Sequence, residues 1–449
     1  MNTTCNRRHF LRASGLLAAA GTIQFLPGHV LGLNGATAPN AKLNLAGIGV
    51  GGQGGSDIAQ LASENIVALC DVDWDRAAGT FKKNPNAKKY KDYRKLLDEQ
   101  KDIDAVVVAT PDHMHAFATT AALQLGKHVY CEKPLTHDVW EARQVAELAR
   151  AKKVATQMGN QGQASEETRR LCEFIWDGAI GPAREAHIWT DRPAKGLFKE
   201  YWPQGIDKPA DTPPPPANLD WDLWIGSAPM RPYNPAYMPF KWRGWWDFGT
   251  GALGDIGCHA MDPVFRALKL KVPLSVQASS SRVNTEAYPA ASMVTYEYPA
   301  RGEYPALKLI WYDGGLRPPR PHGLPEGEFM GDNGRMIIGD KGFILGNKLF
   351  PLERRAEYPE PAKTIPRSPG HHLEWINACK GGPAAGSNFD WAGPLTEAVL
   401  LGNVALRVQL REDLTRAKLL WNSEKLQFTN LPEANEFLRR KYRDGWSLG

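Results

Sequence analysis

Paired cysteines are missing. The six that occur (Cys5, Cys70, Cys131, Cys172, Cys258 and Cys379) are scattered with no C-x-x-C among them, so neither a structural zinc site nor a dense disulfide framework is encoded. No cluster of His, Cys, Asp and Glu has metal-ligand spacing, and no metal is expected. Long apolar runs are missing too: mean hydropathy is −0.41, and no stretch of about 18 apolar residues offers itself to a bilayer. Concentrated charge is also absent. The net charge is +5, but residues 1–38 carry three Arg and no Asp, Glu or Lys. The rest is near neutral, without the clustered Lys and Arg that a nucleic-acid groove needs. Nucleic acid is excluded as a partner. What is present is ordinary globular material, 43% hydrophobic and 23% charged, in a chain of 449 residues. That length predicts two domains.

Residues 1–38 read as an address. Asn6-Arg7-Arg8-His9-Phe10-Leu11-Arg12 precedes a mildly apolar stretch, Gly15–Pro27. The paired arginines with Phe, Leu and a weak apolar region resemble a twin-arginine export signal. The apolar part is too short and too rich in Gly and Ala for a stable membrane anchor, and Cys5 lies before it, out of place for a lipoprotein cysteine. The expectation is export to the periplasm, already folded, through the twin-arginine translocase.

Residues 39–160 carry a nucleotide pattern. The apolar run Lys42–Ile48 leads into Gly49-Val50-Gly51-Gly52-Gln53-Gly54, followed by a helical pattern over Ser56–Ser63. Strand, G-x-G-x-x-G and helix together allow the backbone to approach a pyrophosphate on the helix N-terminus. Gly49, Gly51, Gly52 and Gly54 are the candidate contacts. A second strand, Asn65–Cys70, ends at Asp71, 17 residues after Gly54, where a carboxylate accepts the adenosine ribose hydroxyls and repels a 2′-phosphate. NAD is expected rather than NADP. Further strands are predicted at Asp104–Thr110, His128–Cys131 and Val154–Met158, with helices over His113–Leu125 and Asp138–Lys152. The polar strand ends, where open parallel sheets bind ligands, are Thr110-Pro111-Asp112-His113, Glu132-Lys133-Pro134 and Gly159-Asn160-Gln161. Thr110, Pro111, His113, Glu132 and Lys133 are assigned to the cofactor, and Lys133 and Asn160 to the substrate.

Cys70-Asp71-Val72-Asp73, Ala109-Thr110-Pro111-Asp112-His113 and above all Glu132-Lys133-Pro134, behind the glycine turn, resemble the Gfo/Idh/MocA oxidoreductases. The resemblance extends over about residues 40–410. It implies a Rossmann domain followed by a substrate domain, with Lys133 on the substrate hydroxyl near the nicotinamide and Pro134 in a cis-type bend. A lysine at a parallel strand end beside a cofactor cleft is also suited to proton transfer on physical grounds.

Residues 161–449 read as the second domain. A helix is predicted over 165–178, strands at Arg184–Thr190, Leu274–Val283, Ser292–Tyr298, Ala306–Trp311 and Arg335–Leu345, and helices over 372–380 and 394–411, the last opened by Pro394. The overall expectation is α/β: a doubly wound parallel sheet, then an α+β domain with a large, open, mainly antiparallel sheet. Between them, residues 191–248 form a Trp- and Pro-rich insertion containing Pro213–Pro216 and, counting Trp189 just before it, seven of the fifteen tryptophans. It reads either as an arm packing on the core or a neighbouring subunit, or as a sugar-stacking surface. Arg192 and Trp246 are its candidate substrate contacts.

In Gly249–Asp262, Asp255 and His259 are i, i+4 and share a helix face. A carboxylate beside an imidazole orients it and raises its basicity, which suits a hydroxyl proton acceptor. By the resemblance, Asp-x-x-x-His is the matching catalytic element, so Lys133, Asp255 and His259 are the predicted catalytic set, and all three also touch substrate. The implied activity is hydride transfer between NAD and a sugar, sugar derivative or cyclitol, with the cofactor tightly held and recycled within the site. Two alternatives stand beside it. One is a redox-neutral NAD-dependent glycosidase or lyase resembling glycoside hydrolase family 109. The other is a non-catalytic sugar-binding protein of the same fold. An aromatic arm and an open sheet favour a homodimer or homotetramer.

Overall fold

The computed structural model describes residues 41–195, 199–411 and 416–448; the predicted export signal lies outside them. Asn44–Ile48 (β1), Asn65–Cys70 (β2), Lys88–Tyr90 (β3), Ala105–Val108 (β4), His128–Cys131 (β5) and Thr156–Met158 (β6) form a parallel sheet in the order β3-β2-β1-β4-β5-β6. The order reverses beside β1, so the loops after β1 and β4 open a crevice at the carboxyl edge. The central strands are continuous apolar runs because helices cover both faces: all four residues of Ala105–Val108 are buried. Those helices are Gln53–Gln60 (α1), Trp74–Lys83 (α2), Tyr93–Glu99 (α3), Asp112–Gln124 (α4) and Val139–Lys152 (α5). Asp138 starts α5 with a capping box, accepting from the Glu141 backbone N–H at 2.8 Å while the Glu141 side chain accepts from its own.

The second half begins with Glu166–Trp176 (α6), capped by Ser165. It continues through Ala183–Trp189 (β7), a small hairpin of Ala194–Lys195 (β8) and Lys199–Glu200 (β9), and the short helix Trp221–Ile225 (α7). Gly251–Ala260 (α8) and Asp262–Ala267 (α9) precede the strands Ser275–Ser280 (β10), Ser292–Tyr298 (β11), Leu307–Tyr312 (β12), Gly334–Gly339 (β13), Gly342–Leu345 (β14) and Lys348–Phe350 (β15). Leu352–Glu357 (α10), His371–Cys379 (α11), Phe389–Arg407 (α12), Leu419–Asn422 (β16) and Gln427–Phe428 (β17) follow. The nine-stranded sheet runs β15-β14-β13-β7-β12-β11-β10-β16-β17. β7 and β12 pair in parallel and all other neighbours are antiparallel.

One continuous apolar core joins the two sheets. Its spine is α12, buried along most of its length between α5 and the α8–β10 layer. Gly393 lets α12 approach Ala146 of α5, and Gly402 lets it approach Tyr296 and Leu253. The five described cysteines are unpaired, and Cys70, Cys131, Cys172 and Cys258 are buried.

Two predicted elements differ. Arg335–Leu345 is a hairpin rather than one strand: Asp340-Lys341 turns the chain and Gly339 pairs with Gly342. Pro394 lies inside α12, which begins at Phe389 behind the cap Asn388. Only one backbone bond is forfeited so near the start, and burial along the helix holds it. The stretch 74–99, for which the sequence pattern predicts no element, supplies α2, β3 and α3.

Candidate active site

A cleft of about 510 Å³ opens where the glycine turn, the ends of β2, β4 and β5, the insertion and α8 meet. Gly49 and Gly52 have φ of +79° and +77°. A Cβ on Gly49 would meet the Ala109–Thr110 backbone at 2.6–2.7 Å, so the turn closes against β4 only without a side chain. Gly49, Gly51, Gly52, Asp71, Thr110, Pro111 and Glu132 all line the cleft. Gly54 does not: its Cβ would lie 2.1 Å from the Gly49 carbonyl oxygen, and it serves the close packing of α1 on the turn. Asp71 Oδ2 accepts from the Gly51 N–H at 2.8 Å and Oδ1 from the Asp73 N–H at 2.9 Å. Burial nevertheless pushes its carboxyl up to about 6.

At the end of β5 the Lys133–Pro134 peptide is cis. Lys133 Nζ donates to Asp255 Oδ1 at 2.7 Å, and Arg243 Nε donates to the same oxygen at 2.8 Å. Lys133 and Asp255 each keep 11% of side-chain exposure. Burial opposes ionisation of Asp255, but Lys133 and Arg243 outweigh it and hold the carboxyl well below the usual carboxylate range. The Arg243 guanidinium lies 4.0 Å from the Phe240 ring centre and 4.2 Å from that of Trp242. His259, one turn beyond Asp255, lines the cleft half-buried and makes no hydrogen bond to another described residue. Burial and the Lys133 charge push its imidazole down to about 3, against the opposing charge of Asp255. The expected Asp255–His259 partnership is therefore corrected. The carboxylate is taken by two cations, and the imidazole stands neutral and free.

Three other assignments change. His113 is fully buried on the far side of α4, its ring between the carbonyls of Phe248 and Trp224. The α4 histidine on the cleft is His115, set between the carbonyls of Pro134 (2.7 Å) and Thr110 (2.8 Å), which ties the β4 and β5 loops together. Trp246 is buried against Tyr288, donates to the Asn284 carbonyl and walls a different cavity. Asn160 is 1% exposed and stays beneath the cleft wall, both side-chain polar atoms without a partner among the described residues. Arg192 does reach the cleft, with its guanidinium over Tyr201 at 3.5 Å and paired with Asp191. Residues missed by sequence reasoning are Arg243, His115 and Asp112. Asp112 Oδ2 accepts from Thr250 Oγ1 at 2.5 Å across the junction with α8, and burial pushes it up to about 7.

The insertion packs on its own core, with Trp224, Tyr237, Trp245 and Phe248 in one cluster. It is stitched to the first sheet by backbone bonds from Asp220 N to Val72 O (2.9 Å) and from Trp74 N to Asn218 O (3.4 Å). Trp202, Trp224 and Trp242 face the cleft.

Glycine turn, the carboxylate at the end of β2 and shared cleft define a two-domain dinucleotide-binding α/β protein. Residues 43–160 match the description "Oxidoreductase family, NAD-binding Rossmann fold", and residues 185–303 match its companion, "Oxidoreductase family, C-terminal alpha/beta domain". The two stretches cover more than half of the chain, which belongs to the Gfo/Idh/MocA oxidoreductase family. Among curated relatives, the levoglucosan dehydrogenase of Pseudarthrobacter phenanthrenivorans is 27% identical over 38% of this chain and 34% of its own length. An alpha-N-acetylgalactosaminidase of Shewanella oneidensis is 31% identical over 39% of this chain and 44% of its own. The chain thus spans less than half the length of each. The solved WlbA dehydrogenase of Bordetella pertussis, in complex with NADH and UDP-GlcNAcA, shares the fold. Its TM-score is 0.56 at 16% identity, covering 85% of this chain and 99% of that one.

Proposed function

We propose that the protein transfers hydride between NAD and a secondary or anomeric carbinol of a sugar, sugar derivative or cyclitol. The observation that carries this reading is the meeting of Lys133 and Asp255 at 2.7 Å beside an unbonded His259, in the cleft that holds the glycine turn. The glycine contacts and Asp71 fit the dinucleotide, which supplies the hydride acceptor. Lys133 gives one N–H to Asp255 and keeps two for the substrate oxygen, where its charge stabilises developing alkoxide. His259, kept neutral, offers a lone pair for the hydroxyl proton. Asp255 fixes Lys133 rather than orienting His259, and Arg243 holds Asp255 through the same oxygen. The half-buried ring of Trp242, on the cleft wall, suits sugar-ring contact.

The similarity to an alpha-N-acetylgalactosaminidase favours a second reading, in which oxidation is transient and the net reaction is hydrolysis. The deciding experiment is to purify the full chain, assay co-eluting NAD, and weigh the products from a panel of sugars and glycosides. A product two mass units lighter or heavier than its substrate supports net oxidoreduction. A released aglycone without redox change moves the assignment to the second reading, and saturable binding without product would leave a sugar-binding protein.

The reading includes export with the cofactor already enclosed and recycled within the site, motivated by Arg7-Arg8. Replacing both by Lys should leave precursor in the cytoplasm that still binds NAD. Normal periplasmic accumulation, followed by fractionation and immunoblotting, would count against export by this route.

A further inference from the structure

We propose that a second ligand site lies behind α8, and that it takes a small polyhydroxylated oxyanion, a phosphorylated or carboxylated molecule of sugar size. A cavity of about 520 Å³ lies there, within the range of small-molecule sites, and shares no lining residue with the NAD cleft. Its walls are short of hydrogen-bond partners. Arg407 has no carboxylate partner among the described residues; its guanidinium lies 5.3 Å from the ring centres of both Trp246 and Phe437, and its Nε is buried without a partner. Asn403 is 7% exposed. Its Nδ2 donates to the Thr250 carbonyl at 2.9 Å, which fixes the amide's orientation and leaves Oδ1 buried and unpartnered. The ring nitrogens of His137 are buried beside them, near the Gly249 carbonyl.

Charge points the same way. Arg439 and Lys441 join Arg407 on the wall, while the nearby carboxylates are committed: Asp138 accepts from the backbone N–H of Glu141 and Arg440, and Asp247 pairs with Arg231. Glu436, on the exposed rim, is the remaining acid of the wall. Water can satisfy Asn403, but it does not neutralise a guanidinium in a half-enclosed cavity. A guanidinium selects an oxyanion, and Asn403 Oδ1 selects a hydroxyl donor within reach of the same molecule. An occupant would also touch the turn that begins α8, since Asn403 and Tyr288 already hold the carbonyls of Thr250 and Gly249.

Titration calorimetry on the full chain, with glucose 6-phosphate, glucuronate, glucose and inorganic phosphate as probes, tests this. At least one anionic sugar should bind saturably and more tightly than either inorganic phosphate or glucose. The tighter of the two anionic sugars identifies phosphate or carboxylate as the preferred group. Arg407→Gln should weaken binding on the order of tenfold, the effect of losing a charge-assisted contact, and Lys133→Met should leave it unchanged. Should Arg407→Gln not fold, Arg439→Gln on the exposed rim decides: a severalfold loss supports the site and an unchanged affinity overturns it. The proposal also fails if neither anionic sugar binds, if binding survives Arg407→Gln, or if Lys133→Met abolishes it, which would place the anion in the NAD cleft.

Discussion

At the scale of residues, Asp255 divides the labour of the cleft. It holds two cations through one oxygen, and leaves the imidazole one helical turn on without a hydrogen bond to another described residue. Lys133→Met and His259→Asn should therefore yield folded proteins that retain NAD and lose about 10²–10⁴ in turnover, the usual cost of removing a general acid or base. Stopped-flow nicotinamide absorbance on the identified substrate checks this, and near wild-type turnover in either variant contradicts its role. Spacing made Lys133, Asp71 and the Asp255–His259 face legible, because strand ends and i, i+4 positions are geometric consequences of backbone periodicity. It did not reveal the partner that Asp255 chooses. Arg243 reaches it from a turn with no periodicity at all. His113 and His115 are two residues apart on one helix, and nothing in the pattern says which of them faces the cleft. Trp246 looked like a sugar contact from composition alone, whereas its indole N–H is spent on the Asn284 carbonyl.

At the scale of elements, the fit between α1 and the glycine turn is the tightest constraint on the cofactor site. A methyl group on Gly54 has nowhere to go, since the Gly49 carbonyl oxygen is backbone and cannot swing aside. Gly54→Ala should move the helix off the turn, cost about 1–3 kcal/mol of stability by overpacking, and reduce retained NAD even though Gly54 does not itself line the cleft. The urea midpoint and the nicotinamide content of the purified protein measure the two effects separately. Loss of stability with undiminished NAD would mean that the turn adapts. Element boundaries were readable where a cap or an unbroken apolar run marked them, as at Ser165, Asp138 and Ala105–Val108. They were not readable where a two-residue turn interrupts a β-rich run, as at Asp340-Lys341, or where burial carries a helix through a proline, as at Pro394.

At the scale of the whole molecule, buried titratable groups set opposing demands on pH. Burial pushes His113, His259 and His371 down to about 3 and His115 to about 4. The unfolded chain takes up protons at these positions below about pH 6.5 while the folded one does not, so each weakens the fold as pH falls from there. Burial pushes Asp112 up to about 7 and Asp71 and Asp313 up to about 6, and raises Glu132 and Asp138 as well. These groups stabilise the fold fully below about pH 4 and lose that contribution as pH rises through their folded values. The two sets offset each other between about pH 4 and 6.5, so the urea midpoint should peak on the acid side of neutrality, decline toward pH 8 and drop sharply below pH 4. A midpoint that climbs steadily from pH 5 to pH 8 would contradict this balance. The cysteines carry a separate consequence. Burial raises the thiols of Cys70, Cys131, Cys172, Cys258 and Cys379 well above their ordinary value, so little nucleophilic thiolate forms at any of them. Among the described residues the fold therefore stands without a disulfide, and a change from reducing to oxidising surroundings gives it no cross-link to form.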